Sequence, residues 1–212
     1  MCGRAFTMLE LIFVIIIVGI LTAVILPRMD RDTIYEAAEQ VLGHIKYTQH
    51  LAMVNDVYRD NVANWHFARW HINFMETVNC GLIYRIGSNR DLVSSSGSLT
   101  EDFSVTEAAR DPLSNKPLYS DAINCNKDKP WHDDILLTSK YSITNNDFNI
   151  TCSTGKTIAF DHLGRPYFGF TQNDPTAKLL KSDCNITMQD GNGNQAIITI
   201  TPETGYSYIT YN

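Results

Sequence analysis

The sequence predicts an α+β protein, with a long N-terminal helix whose first half spans a membrane, packed on a C-terminal antiparallel β-sheet domain. Three observations predict it. Leu11 to Leu26 is apolar apart from Thr22, and Phe6 to Leu9 extend the run to about 20 residues, or about 30 Å of helix. Past Pro27, Ile34, Ala37, Ala38, Val41, Leu42, Ile45, Thr48, Gln49 and Ala52 recur at spacings of three and four. Beyond Asn55, short alternating runs separated by turn residues replace the helical pattern.

Within the apolar run stands one acid, Glu10. An ionised side chain at bilayer depth costs roughly 2.5 to 3.5 kcal/mol on the lenient insertion scale, so its presence implies a cationic partner. A cleavable secretory signal is the main competing account of a basic start followed by an apolar core. It fits poorly, because Ala23-Val24-Ile25-Leu26-Pro27 offers no small-x-small cleavage site and Glu10 interrupts the core.

Arg4-Ala5-Phe6-Thr7-Met8-Leu9-Glu10 and the helix after it resemble the N-terminus of the type IV pilin and type II secretion pseudopilin superfamily. The resemblance implies a leader over 1–5, cut by prepilin peptidase between Ala5 and Phe6, with N-methylation of Phe6. It implies that Glu10, fifth in the mature chain, serves subunit assembly. Ala5 departs from the Gly usual before the cut. Gly19 and Pro27 match positions where many members loosen the helix. The expected divisions are then 6–26 for the membrane-spanning part, 27–54 for the amphipathic part of the same helix, and 55–212 for a β-rich domain outside the cytoplasm. The implied shape is the family's lollipop. The implied location is a single pass of the inner membrane with the domain in the periplasm, associated with a filament after processing.

The 212 residues are 44% hydrophobic, leaving room for one compact domain after the helix. A formal charge of −6 and a pI near 5.4 argue against nucleic-acid binding, which wants a basic face. Cys2 falls in the leader, leaving Cys80, Cys125, Cys152 and Cys184. An even number without Cys-x-x-Cys spacing favours disulfides over zinc. Of three connectivities, Cys152–Cys184 with Cys80–Cys125 is preferred, because it keeps each bond within one part of the chain.

Strands are expected at Arg69–Phe74 and Gly81–Ile86, and long loops between Gly87 and Pro130. Two hairpins follow: Thr157–Phe160 with Arg165–Phe170 around Asp161-His162-Leu163-Gly164, and Ala196–Thr201 with Tyr206–Tyr211 around Pro202-Glu203-Thr204-Gly205. Each turn ends in Gly, which supplies positive φ without strain. The Asp-x-x-Gly-Arg-Pro hairpin and the terminal Thr-Gly-Tyr hairpin look like the C-terminal half of H-type minor pseudopilins.

Candidate chemistry is sparse. The histidines show no metal spacing; His66 and His71, among Trp65, Phe67 and Trp70, read as core or interface. Asp190, Asn192 and Asn194 imitate the first half of a calcium loop, but the twelfth position is Thr201 where a bidentate Glu belongs, so a hairpin turn is the simpler account. Asp147-Phe148-Asn149-Ile150-Thr151 and Asp183-Cys184-Asn185-Ile186-Thr187 both match the extended acceptor of bacterial N-glycosylation, and chance together with strand composition explains them equally well. No nucleophile elbow or phosphate loop is present, so neither enzyme activity nor a cofactor is expected.

The implied function is a structural minor pseudopilin of a type II secretion pseudopilus. Its partners would be other pilins or pseudopilins through the N-terminal helix, prepilin peptidase and the inner membrane. A minor type IV pilin and a membrane-tethered binding domain are the alternatives. Neighbouring genes for a secretion ATPase or a retraction ATPase separate the first two readings.

Overall fold

A computed structural model describes residues 7–25, 33–92, 102–120, 131–152, 155–191 and 193–212. The chain divides into two units, 1–33 and 34–212. In the first, Met8–Ile25 forms helix α1 of 18 residues. Helix α2, Thr33–Val54, has 22 residues and, after its first residue, belongs to the second.

These two helices correct the expectation of one long N-terminal helix. An 18-residue helix is about 27 Å long, short of the roughly 30 Å of a bilayer core. Among the described residues, no helix is long and apolar enough to cross a membrane. The membrane-spanning part assigned to 6–26, and with it the single-pass inner-membrane location, is therefore overturned. Pro27 lies outside the described residues.

Helix α2 follows its sequence pattern. Ile34, Ala37, Ala38, Val41, Leu42, Ile45, Thr48 and Ala52 are all buried. Glu36 in the first turn suits the positive end of the helix dipole. Two buried residues on this stripe are polar, Thr48 and His44; His44, three positions after Val41 and four before Thr48, is the one that the sequence pattern does not include.

The rest of the second unit is a mixed arrangement with two antiparallel sheets, where one sheet domain was expected. Its strands are β1 (His71–Thr77), β2 (Gly81–Gly87), β3 (Phe148–Ile150), β4 (Thr157–Phe160), β5 (Pro166–Phe168), β6 (Cys184–Gln189), β7 (Gln195–Ile200) and β8 (Ser207–Tyr211). The first sheet runs β2-β1-β4-β5 and the second β3-β6-β7-β8. A short helix, α3 (Leu137–Tyr141), precedes β3. One core joins α2, both sheets and α3, with Ile45, Ile72, Tyr84, Phe160, Ile186 and Ile198 fully covered. Burying such side chains is worth roughly 1.5 to 3 kcal/mol each.

Strand β1 starts two residues later than expected, because Trp65–Ala68 forms a 3-10 turn and Arg69 caps it. Strand β6 forms a hairpin with the neighbouring β7 around the turn at 190–194, whereas β3 was not foreseen, because its partner β6 is distant in sequence; β3 and β6 share three register pairs. They align antiparallel with Asn149 opposite Thr187 and Ile150 opposite Ile186. The two acceptor-like segments are thus neighbours in one sheet: Thr151 N–H donates to the Asn185 carbonyl, and Asn185 N–H donates to Thr151 Oγ1, each at 3.0 Å.

Candidate functional site

Glu10 sits at the third position of α1, and Thr7 immediately precedes the helix. Glu10 Oε2 accepts from Thr7 N–H and from Thr7 Oγ1, and Glu10 N–H donates to Thr7 Oγ1, each at 3.3 Å. This reciprocal arrangement is a capping box, which satisfies amides that the first helical turn leaves without partners. The Thr-x-x-Glu spacing carries that signal in the sequence, and a reading of Glu10 as a lone buried acid misses it. Behind the cap, every described side chain from Met8 to Leu21 is exposed; Leu9, Phe13, Ile15 and Ile20 are 58 to 66% open. A helix that is apolar on all sides normally lies buried, so this surface calls for a cover. Ala5 and Phe6 lie outside the described residues.

The expected Cys152–Cys184 disulfide is present, with Cα atoms 5.2 Å apart. It joins the chain just after β3 to the start of β6. Cys80 is also disulfide-bonded; Cys125, its expected partner, lies outside the described residues. The calcium-like segment closes on itself: Asp190 Oδ1 accepts from Asn194 N–H at 2.9 Å and Oδ2 from Asn194 Nδ2 at 2.7 Å. Asn192 is outside the described residues. Among those described, no group of three or more His, Cys, Asp or Glu could hold a metal.

The hairpin motifs hold the fold together. Asp161, almost fully buried, accepts from Leu163 N–H, Arg165 N–H, Arg165 Nε and the Tyr167 hydroxyl at 2.7 to 3.1 Å. That bond holds the Arg165 guanidinium above its usual pKa. The other terminal turn meets this one at α2, where Gln49 Nε2 donates to the Gly164 carbonyl at 2.8 Å and the Thr204 carbonyl at 2.9 Å. Arg69 lies over the Tyr167 ring, 3.9 Å from its centroid, and burial lowers its pKa. His66 and His71 are buried as expected. His66 bonds the Thr171 carbonyl, and burial lowers its pKa.

His44 is the functional-looking residue that the sequence reading passed over. Its Nδ1 is 2.7 Å from the Tyr84 hydroxyl, which donates onward to the Asp134 carbonyl at 3.2 Å. Its Nε2 is 3.1 Å from Gln40 Nε2. The chain is consistent with a neutral ring that donates through Nδ1 and accepts through Nε2. Burial lowers its pKa from 6.5 to about 4, opposed by Asp134 and Asp111 and aided by His132. The folded form therefore resists a proton that the unfolded chain accepts. Stability from this group is full above pH 6.5 and falls as the pH drops toward 4, by about 3 kcal/mol. Urea melts of the wild type and of His44→Leu across that window should show the steeper loss in the wild type; parallel curves would contradict it.

No family model, no curated protein and no solved structure matches this chain.

Proposed function

We propose that this chain is a structural subunit of a pilin-type filament, most like an H-type minor subunit of a type II secretion pseudopilus, and that it performs no catalysis itself. One observation carries the reading: a capped helix, apolar on every side and exposed at every described residue, headed by a single acid four residues after Phe6. Helices of neighbouring subunits cover this surface, and apolar packing of residues such as Ile12, Ile16 and Leu21 supplies the bulk adhesion. Cutting before Phe6 creates a cationic amine, and Glu10 of the adjacent subunit is its counter-charge. Away from water this attraction is strong, although desolvation offsets much of it, so the pair sets axial register more than it adds adhesion.

Co-purification of tagged filament subunits tests the proposal. The mature protein should begin at a methylated Phe6. Glu10→Gln keeps most of the cap geometry but removes the charge, and should lower incorporation about tenfold or more. Thr7→Ala weakens the cap by about 1 kcal/mol and should leave most incorporation intact. Normal incorporation of Glu10→Gln would sink the register role, and an unprocessed N-terminus would sink the family reading.

A further inference from the structure

The second sheet presents an outward face of unusual chemistry. Asp, Glu, Lys and Arg make up 19% of the chain, yet none occurs in β3, β6, β7 or β8. Burial alternates along β6: Cys184, Ile186 and Met188 point into the core, while Asn185 and Thr187 are half-buried and Gln189 is exposed. The same parity places Tyr208 and Thr210 outside on β8. Edge strands and exposed sheet faces are commonly guarded by charge, particularly Lys, so an uncharged one is a liability unless it has an occupant.

Its groups form ordered rows. Asn185 lies opposite Thr199, which lies opposite Tyr208, so one row crosses three strands, with the buried Thr199 at its centre and Asn185 and Tyr208 open on either side. Thr199 Oγ1 donates to Asn185 Oδ1 at 3.0 Å, fixing the amide in place. The next row runs Asn149, Thr187, Ile197 and Thr210. At the end of the sheet, the Tyr206 and Tyr208 rings lie 5.8 Å apart with planes inclined by 28°. They are 62% and 38% exposed. An offset pair at this separation leaves ring surface open to a ligand.

We propose that this face binds an uncharged polysaccharide. A pyranose ring offers a C–H-rich surface, which the negative face of an aromatic ring attracts, and a rim of hydroxyls, which amides and hydroxyls satisfy in both directions. It carries no charge, and neither does the sheet. An anionic polymer would find no cation in these strands, and an apolar protein surface would leave the Asn, Thr and Gln side chains unpaired at a cost. No residue named for this face belongs to α1, so this inference does not rest on the filament reading.

Depletion of the full chain from solution by insoluble cellulose, chitin and β-1,3-glucan provides the test. Binding to at least one is expected, unchanged at about 0.5 M NaCl because no charge is screened. Tyr206→Ala with Tyr208→Ala should weaken it about tenfold or more. Tyr206→Ala alone, which removes the more exposed ring, should weaken it measurably and guards against misfolding of the double variant. Tyr58→Ala, an exposed ring outside this sheet, should bind as wild type. Absence of depletion by all three polymers, undiminished binding by both tyrosine variants, or loss of binding in salt would each overturn the proposal.

Discussion

Removing the Cys152–Cys184 disulfide by replacing both residues with Ala is expected to destabilise the β-rich unit by about 3 to 4 kcal/mol. The bond closes a loop with a sequence separation of 32, and the chain-entropy relation for a loop of this length gives that magnitude. The location adds to the case. Between the two cysteines the chain leaves the second sheet, contributes β4 and β5 to the first, and returns. The disulfide therefore pins a crossover at a point where β3 and β6 share only three register pairs. Cys184 is fully buried, so the Ala replacement also opens a small void. Denaturant unfolding of the double variant measures the effect, and an unchanged midpoint would refute it. Reductant alone is less informative, because Cys80 is disulfide-bonded as well.

The second large effect is expected at Gly205. Its φ is +64°, and a Cβ there would lie 2.5 Å from the Gly164 carbonyl oxygen and 2.6 Å from Gln49 Nε2. Gly205→Ala thus combines a left-handed backbone penalty of roughly 1 to 2 kcal/mol with an overpacking cost of roughly 1 to 3. The clash is with backbone on one side, and relieving it disturbs the Gln49 bonds that hold both hairpin turns to α2. Gly169 is the control: its φ is +63°, but a Cβ there meets nothing within 4 Å. Gly169→Ala should therefore cost only the backbone component. Thermal melts of the two variants separate the contributions, and equal shifts would show that the close approach at Gly205 carries no cost.

Both effects mark where sequence reasoning reached and where it stopped. The α2 stripe was legible residue by residue, because a period of three and four is imposed by the helix itself and needs no partner. The two terminal hairpins were legible for the same reason: their partners are near in sequence and their glycines announce the turns. Gln49 was placed on the right face of the right helix, yet its role as the clamp between two turns, over 100 residues away, left no local trace. His44 shows the opposite case, in which spacing from Val41 and Thr48 was available but a polar residue type disguised a core position.

The N-terminal helix marks a different boundary. Hydropathy gave an apolar run of roughly spanning length, whereas α1 and α2 form as separate helices of 18 and 22 residues, and no described helix is long and apolar enough to cross a membrane. Summed hydropathy registers composition and ignores where a helix starts and stops. The start, at least, was written in the chain as Thr7-x-x-Glu10, where the acid that looked anomalous caps its own helix.

By itself the sequence determined the local elements: the apolar helix with its acid, the α2 stripe, the hairpins and the preference for the Cys152–Cys184 pair. Those follow from side-chain periodicity, turn chemistry and redox habit, all of which act over short stretches. Only the tertiary structure decided that the strands divide into two sheets, that two look-alike Asn-x-Thr segments pair with one another, and that an uncharged face bearing Tyr206 and Tyr208 results. Those depend on strand register between distant segments, which is selected by how the assembled faces bury their apolar side chains.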